Sequence, residues 1–397
     1  MSIADRWPRD AAGNLLVGGL PLEDAVALAG GTPCYLYDRA RLQVRAEGLR
    51  ALLPDGVQLH YAIKANPYPP LVTAMAGWVD GFDVASGGEL EIALAAGMAP
   101  DRISFAGPGK SAEELARAAA AGIVINLESL REARLLAGTG AAVAIRVNPD
   151  FELKASGMRM AGGAKPFGID EALLPEMYSA ISDAGLRFEG FHIYAGSQSL
   201  RADAIIEAQT ATYEAALRWA NAAGVRPRHI NIGGGFGIPY APHEAPLDLE
   251  PVLANLEALA IRAARDLPGT ALVIELGRWL VGEAGLYVAR VRDRKVSHGQ
   301  TFLVVDGGMH QHLAASGNFG QKIRRNYPVA VNGAEARREI ASIVGPLCTP
   351  LDLLADRAEL AMAQEGDLIA IFQSGAYGYT ASPRAFLGHP DPGQALV

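Results

Sequence analysis

Between residues 58 and 277 the chain repeats one rhythm: a short run of β-type apolar residues, then a stretch of helical period. The apolar runs fall at 58–65, 81–86, 103–107, 123–128, 142–148, 188–195, 229–233 and 272–277. Helical stretches such as 88–96 and 112–121 lie between them. Runs this uniformly apolar suit strands buried on both faces, as in parallel sheets. Eight βα units predict an α/β chain with a closed (β/α)8 barrel of TIM type; an open doubly wound sheet is the alternative.

After Gly277 the rhythm stops. Residues 284–291, 301–305, 341–344 and 367–373 read as strands joined by turns, so an antiparallel β domain is expected from about residue 279. Residues 32–38 (TPCYLYD) read as a further strand, and the N-terminal segment is expected to complete that domain. The expected division is a barrel over 36–278, with 1–35 and 279–397 forming the β domain.

Composition narrows the function. The 397 residues carry 43 acidic and 35 basic side chains, a net charge of −8, which disfavours nucleic acid and anionic membranes as partners. Two cysteines, Cys34 and Cys348, make no disulfide framework and suit a reducing cytoplasm. The first residues lack the pattern of a secretory signal, and no apolar run approaches membrane-spanning length. No metal site is expected.

Barrel enzymes work at the C-terminal ends of their strands. Here those ends carry Lys64, then Asp83 with Ser86, then Glu128, Arg146, His192 with Ser197, the triplet Gly233, Gly234, Gly235, and Glu275 with Arg278. Lys64, in YAIKANP, is either a snorkelling surface lysine or an amine desolvated in the barrel mouth. The second would make it nucleophilic toward a carbonyl, in a sugar, a keto acid or pyridoxal phosphate. The glycine triplet in INIGGGFG is either a tight turn or a backbone cradle for an anion, and phosphates commonly bind around strands seven and eight of such barrels. Its spacing lacks the GxGxxG pattern with a ribose-binding acid, so nicotinamide cofactors lose ground. Glu275, in VIELGR, either pairs with Arg278 or holds a protonated pyridine nitrogen. His192 is a satisfied core histidine or a ring stacked on a cofactor; Arg146 reads as an electrostatic tuner of the same mouth.

The motifs YAIKAN, FDVASGGE, HIYAGS, NIGGGFG, ELGR, GPLCTPLD and SGAYG resemble, in this order, those of the fold-type III pyridoxal-phosphate-dependent decarboxylases. These are the diaminopimelate and ornithine decarboxylases, with an alanine-racemase-like barrel and a C-terminal β domain. The resemblance spans essentially the whole chain. It implies that Lys64 forms the internal aldimine, His192 stacks on the ring and Glu275 holds the ring nitrogen. Asp83 and Arg146 would line the cofactor site, while Ser197, Gly233, Gly234, Gly235, Arg278 and Tyr377 would surround the phosphate. Cys348 would be an active-site cysteine contributed across a homodimer interface, protonating the carbanion after CO2 leaves. Related racemases set an arginine against the ring nitrogen, so Glu275 favours decarboxylation over racemisation. A class I aldolase would leave Glu275 without a role, and the small pyridoxal-binding proteins lack the β domain.

Thr349 departs from the pattern. The residue after the cysteine is typically Glu in diaminopimelate and Asp in ornithine decarboxylases, where it meets the substrate's distal ammonium. Such a charge in a partly dry pocket needs a counter-charge, which threonine cannot supply. AGPGK, FHIYAGSQ, FGIPY, RRNYP, GPLCTP and ASPRAFLGHP resemble instead the butirosin-type decarboxylases of glutamate on an acyl carrier protein, and those associated with exosortase systems. A carrier-bound glutamyl group has no distal ammonium. The alternative substrate is a free diamino acid: meso-diaminopimelate, ornithine or lysine. Arg324 and Tyr327, in the RRNYP stretch, would face the substrate together with Thr349. Arg290, Arg292 and Arg294 alternate along a strand and form either a solvated face or a dock for an acidic carrier.

Overall fold

The computed structural model describes residues 3–150, 158–159, 163–241, 243–319, 324–333 and 337–397. Eight parallel strands run through its first half: β1 (Val57–Ala62), β2 (Gly81–Val84), β3 (Ile103–Phe105), β4 (Val124–Leu127), β5 (Ala142–Asn148), β6 (Arg187–His192), β7 (His229–Gly234) and β8 (Ala271–Leu276). Successive strands pair, β8 pairs with β1, and β4 pairs with β5, so the sheet closes on itself. The barrel expected from the apolar rhythm is present, and all seven residues of β5 are buried.

The observed strands stop short of the apolar runs. β1 ends at Ala62, and Ile63–Ala65 form a 3-10 turn. Side-chain caps start several of the intervening helices. Ser86 accepts the Glu89 N–H ahead of Gly87–Ala95, Ser129 accepts that of Glu132 ahead of Leu130–Leu135, and Ser111 with Glu114 forms a reciprocal capping box on Ala112–Ala121.

The chain divides into two compact units. One comprises Arg45–Ile238 and Pro246–Leu280, which hold the barrel. The other comprises Met1–Val44, Pro239–Ala245 and Val281–Val397. The long strand Gly285–Ser297 organises the second unit, pairing antiparallel with Cys34–Tyr37, Leu368–Ile371 and Gln300–Val305. Ile3, Trp7, Leu15 and Val17 pack into its core with Leu36, Leu286 and Phe372.

This sheet is mostly rather than wholly antiparallel. Gln300–Val305 runs parallel to Arg338–Val344, and the terminal strand Gly393–Leu396 runs parallel to Cys34–Tyr37. A bulge between Val291 and Asp293 interrupts the expected alternation of Arg290, Arg292 and Arg294. Two of those arginines are taken up within the unit: Arg290 pairs with Glu23 at 2.9 Å and Arg294 with Glu339 at 2.6 Å. That arrangement is the solvated, ion-paired face rather than a row of open positive charge. Among the described residues no helix is long and apolar enough to cross a membrane.

Candidate active site

Lys64 leaves the barrel on the 3-10 turn after β1, a turn held by the Tyr61 hydroxyl donating to Asn66 O at 2.9 Å. Its Nζ lies 3.7 Å from Glu275 Oε1 and 5.3 Å from the centre of the Tyr194 ring. Its side chain is 42% exposed, which leaves the amine accessible to a ligand in the mouth.

Glu275, near the end of β8, is 5% exposed. His192, ending β6, places Nε2 at 3.0 Å from Glu275 Oε2. Burial by itself would raise this carboxyl, yet Lys64, His192 and Arg146 outweigh it and hold Glu275 well below the usual carboxylate range. An ionised carboxylate only accepts, so His192 Nε2 is the donor. His192 Nδ1 is buried with no hydrogen-bond partner among the described residues.

Arg146, on β5, is register partner to His192 and pairs with Glu128 at 2.8 Å. Glu128 also accepts the N–H groups of Gly107 at 2.5 Å and Gly168 at 2.9 Å. A buried pair of Lys110 and Glu132, at 3.1 Å, braces this group: Lys110 donates to Gly107 O and Glu132 accepts the Glu128 N–H. Asp83, on β2, is buried and accepts the Ser104 hydroxyl.

The glycine triplet closes the mouth between β7 and its neighbours. Gly233 and Gly235 have φ of 73° and 78°, the left-handed region that glycine enters freely. A Cβ on Gly234 would lie 2.1 Å from Glu275 O, and one on Gly235 would lie 2.6 Å from Gly196 O. The Ser199 N–H donates to Gly235 O and the Gly237 N–H to Ser199 O, tying this loop to the Gly196–Ser197 strand after β6. Arg278 opens the short helix Arg278–Val281 just after β8.

The other expected site residues belong to the β unit. Cys348 is an exposed free thiol. Its loop is held by Asp352, whose Oδ1 accepts the Met309 N–H at 2.6 Å and whose Oδ2 accepts the Leu347 N–H at 2.8 Å. Thr349 is half-buried, and its hydroxyl accepts the Leu351 N–H at 3.3 Å. Arg324 is exposed and donates to Leu353 O. Tyr327 is buried, packed on His312 and Tyr240. Tyr377 sits at φ 54°, a conformation rare for a bulky side chain.

Sequence reasoning passed over several of these groups. Glu89 is one, its carboxyl raised by burial and lowered in part by the Ala85 N–H and by Lys64. Asp352 and the Lys110–Glu132 pair are others. The S-x-x-E spacing of Ser86–Glu89 and Ser129–Glu132 is a helix-start signal that could have drawn attention to both glutamates.

The barrel site fits one kind of group. A primary amine meets an aldehyde, an ionised buried carboxylate meets a pyridinium, and a side-chain-free loop at β7 meets a phosphate. His192 Nδ1, buried and unsatisfied, is what a site awaiting a ligand leaves behind. Fold and site together define a barrel enzyme built around pyridoxal phosphate.

The comparisons agree. A family profile described as "Pyridoxal-dependent decarboxylase, pyridoxal binding domain" matches residues 39–282. This chain belongs to that family of pyridoxal-phosphate-dependent decarboxylases. It is 38% identical over 380 residues to the L-glutamyl-[BtrI acyl-carrier protein] decarboxylase of Niallia circulans, covering 92% of this chain and 88% of that one. It is 33% identical over 387 residues to the diaminopimelate decarboxylase of Aquifex aeolicus, covering 93% and 87%. The structure of Helicobacter pylori diaminopimelate decarboxylase complexed with L-lysine superposes with a TM-score of 0.80, at 28% identity and 94% coverage of both chains.

Proposed function

We propose that this decarboxylase acts on a glutamyl group carried as a thioester on an acyl carrier protein. The observation that carries the reading is Thr349. At the position where diamino-acid decarboxylases need an acidic side chain, this chain has a neutral hydroxyl engaged with the Leu351 N–H. A thioester-linked glutamyl group brings no distal ammonium into the pocket, so no counter-charge is required there. The similarity to the Niallia circulans protein supports the same reading.

When bound, pyridoxal phosphate supplies the electron sink that lets an α-carboxylate depart as CO2. The residues of this chain arrange that chemistry. Lys64 Nζ is the amine that would hold the cofactor through its aldehyde. Glu275, held ionised, would accept a hydrogen bond from the cofactor's ring nitrogen. His192 donates to the far oxygen of Glu275 and fixes the carboxylate's orientation. The loops carrying Ser197 and Gly233, Gly234 and Gly235, with Arg278 and Tyr377, bind the phosphate. Asp83 and Arg146 would line the cofactor site. Arg324, Tyr327 and Thr349 meet the substrate, and Cys348 delivers the proton that replaces CO2. A homodimer in the cytoplasm belongs to the same reading, by resemblance to the family.

A free diamino acid is the second reading, favoured by the similarity to diaminopimelate decarboxylases; it requires another acid in place of Thr349. The deciding experiment offers the cofactor-loaded enzyme meso-diaminopimelate, ornithine, lysine, free glutamate and a phosphopantetheine glutamyl thioester, and follows CO2 by mass spectrometry. Turnover of the thioester alone is expected. Efficient turnover of any free diamino acid would overturn the carrier-bound reading.

A further inference from the structure

The stretches FHIYAGSQ and FGIPY are joined in the structure by one side chain. Gln198 Nε2 donates to Ile238 O at 2.6 Å, and Gln198 Oε1 accepts the Ile238 N–H at 3.2 Å. A single side-chain amide thus takes both main-chain polar groups of one residue, as a neighbouring strand would. The main chain continues the seam. The Ser199 N–H donates to Gly235 O at 2.9 Å and the Gly237 N–H to Ser199 O at 2.8 Å, so Ser199 bridges in parallel to Phe236. Four hydrogen bonds therefore bind residues 198–199 to residues 235–238.

Gln198 holds this place at a cost. Its φ is 59°, in the left-handed region that side chains other than glycine's rarely enter. Such a residue persists where its surroundings over-determine it, and it points to a use for the side chain. The use on view here is the clamp on Ile238. Across the seam the other loop needs glycine for room: a Cβ on Gly237 would lie 2.8 Å from Ser199 O. Glycines let the two loops touch, and Gln198 keeps them in register.

The seam lies one residue outside the groups assigned to the phosphate. Gln198 follows Ser197, Phe236 follows Gly235, and Trp279 follows Arg278. Phe236 packs edge-on against Trp279, with ring centres 6.2 Å apart, and Ile238 is fully buried. The loop after β7 is therefore fixed on one side by Gln198 and Ser199 and on the other by Trp279. Backbone donors bind an anion best when they already converge, because no ordering cost is then left to the binding step. Lys64 is held separately, on the turn that Tyr61 closes after β1, so its reach for an aldehyde does not depend on this seam.

We propose that Gln198 is a positioning residue whose amide clamp on Ile238 holds the loops after β6 and β7 in the register in which Ser197, Gly233, Gly234 and Gly235 converge on the cofactor's phosphate. This deepens the assignment of the phosphate to these loops and rests on it. Gln198 acts through the loops it joins. Its loss weakens the grip on the phosphate end of the cofactor and leaves the aldehyde end untouched.

The test strips the enzyme of cofactor and measures, by absorbance, the dissociation constants of pyridoxal phosphate and of pyridoxal, the same aldehyde without the phosphate. It compares the native protein with Gln198→Gly, whose backbone accepts the same φ without the clamp. The native protein is expected to prefer pyridoxal phosphate strongly. Gln198→Gly is expected to lose about tenfold of that preference for the two missing hydrogen bonds, through weaker binding of pyridoxal phosphate alone. An unchanged preference, or an equal loss for both ligands, overturns this inference and leaves the phosphate assignment standing. A native protein that binds the two ligands alike overturns the phosphate assignment itself. A second measurement needs no variant: hydrogen exchange resolved to single amides should find the Ile238 N–H protected in the cofactor-free native protein. Exchange at the rate of an open chain there overturns the proposal.

Discussion

His192 Nε2 and Glu275 Oε2 lie 3.0 Å apart inside the barrel, one at the end of β6 and the other near the end of β8. The contact leaves Glu275 Oε1 turned toward Lys64. A buried carboxylate held between two donors costs less to keep ionised than an isolated one, and a pyridine nitrogen needs an ionised partner.

Lys64→Ala should fold, since the side chain is 42% exposed. Borohydride treatment of the cofactor-loaded native enzyme should add the mass of reduced cofactor to the peptide containing Lys64, and the variant should gain none. Labelling of a different lysine would remove Lys64 from its assigned role.

Gly234→Ala places a methyl 2.1 Å from Glu275 O and 2.7 Å from Leu276 Cδ2, a clash with backbone that no rotamer relieves. We expect a loss of about 1–3 kcal/mol in thermal or denaturant unfolding, with weaker cofactor binding. The same substitution at Gly88, where only Ser86 Oγ at 3.9 Å lies within reach, should be nearly silent.

Asp352→Asn turns one of two acceptors into a donor facing a backbone N–H, either that of Met309 or that of Leu347. Leaving one of these groups unsatisfied costs about 1–3 kcal/mol. Because Leu347 precedes the exposed Cys348, alkylation of that thiol by a maleimide should change in rate; an unchanged rate would show that Asp352 does not order the loop.

His312 is fully buried against Tyr35, Tyr287 and Tyr327, and burial pushes its imidazole down to about 3. The folded state therefore binds this proton less readily than the unfolded chain, whose histidine titrates near 6.5. The stability it permits is complete above that pH and declines as pH falls from about 6.5 toward 3. Urea unfolding at pH 7 and pH 4.5 should show this decline. It should be smaller in His312→Phe, where Ser374 still has Ile371 O as an acceptor.

Much of the barrel was legible because its strands are buried on both faces and so read as apolar runs. The runs overshot the strands: Lys64 reads as a strand end, while the structure sets it on a 3-10 turn that Tyr61 and Asn66 hold. The strands Leu353–Ala361 and Val329–Val331 were not legible. LLADRAELA alternates small and charged residues without a strand's period, and it becomes a strand by pairing with Arg338–Val344. Lys64, His192, Glu275 and the glycine triplet stood out because each is polar or side-chain-free at the end of an apolar run. Glu89 did not, because it lies in a helix.

The amino-acid sequence by itself determined the barrel and the family and singled out the candidate cofactor-binding residues, because apolar period and motif order are local properties of a chain. Tertiary structure alone decided which charges share a space. Glu275, His192 and Lys64 are scattered over more than two hundred residues, and only closure of β8 onto β1 brings Glu275 beside the strand that leads to Lys64. The low proton affinity of Glu275 follows from which charges closure brings beside it, because Coulomb energy depends on separation in space and on burial, neither of which is written in sequence distance.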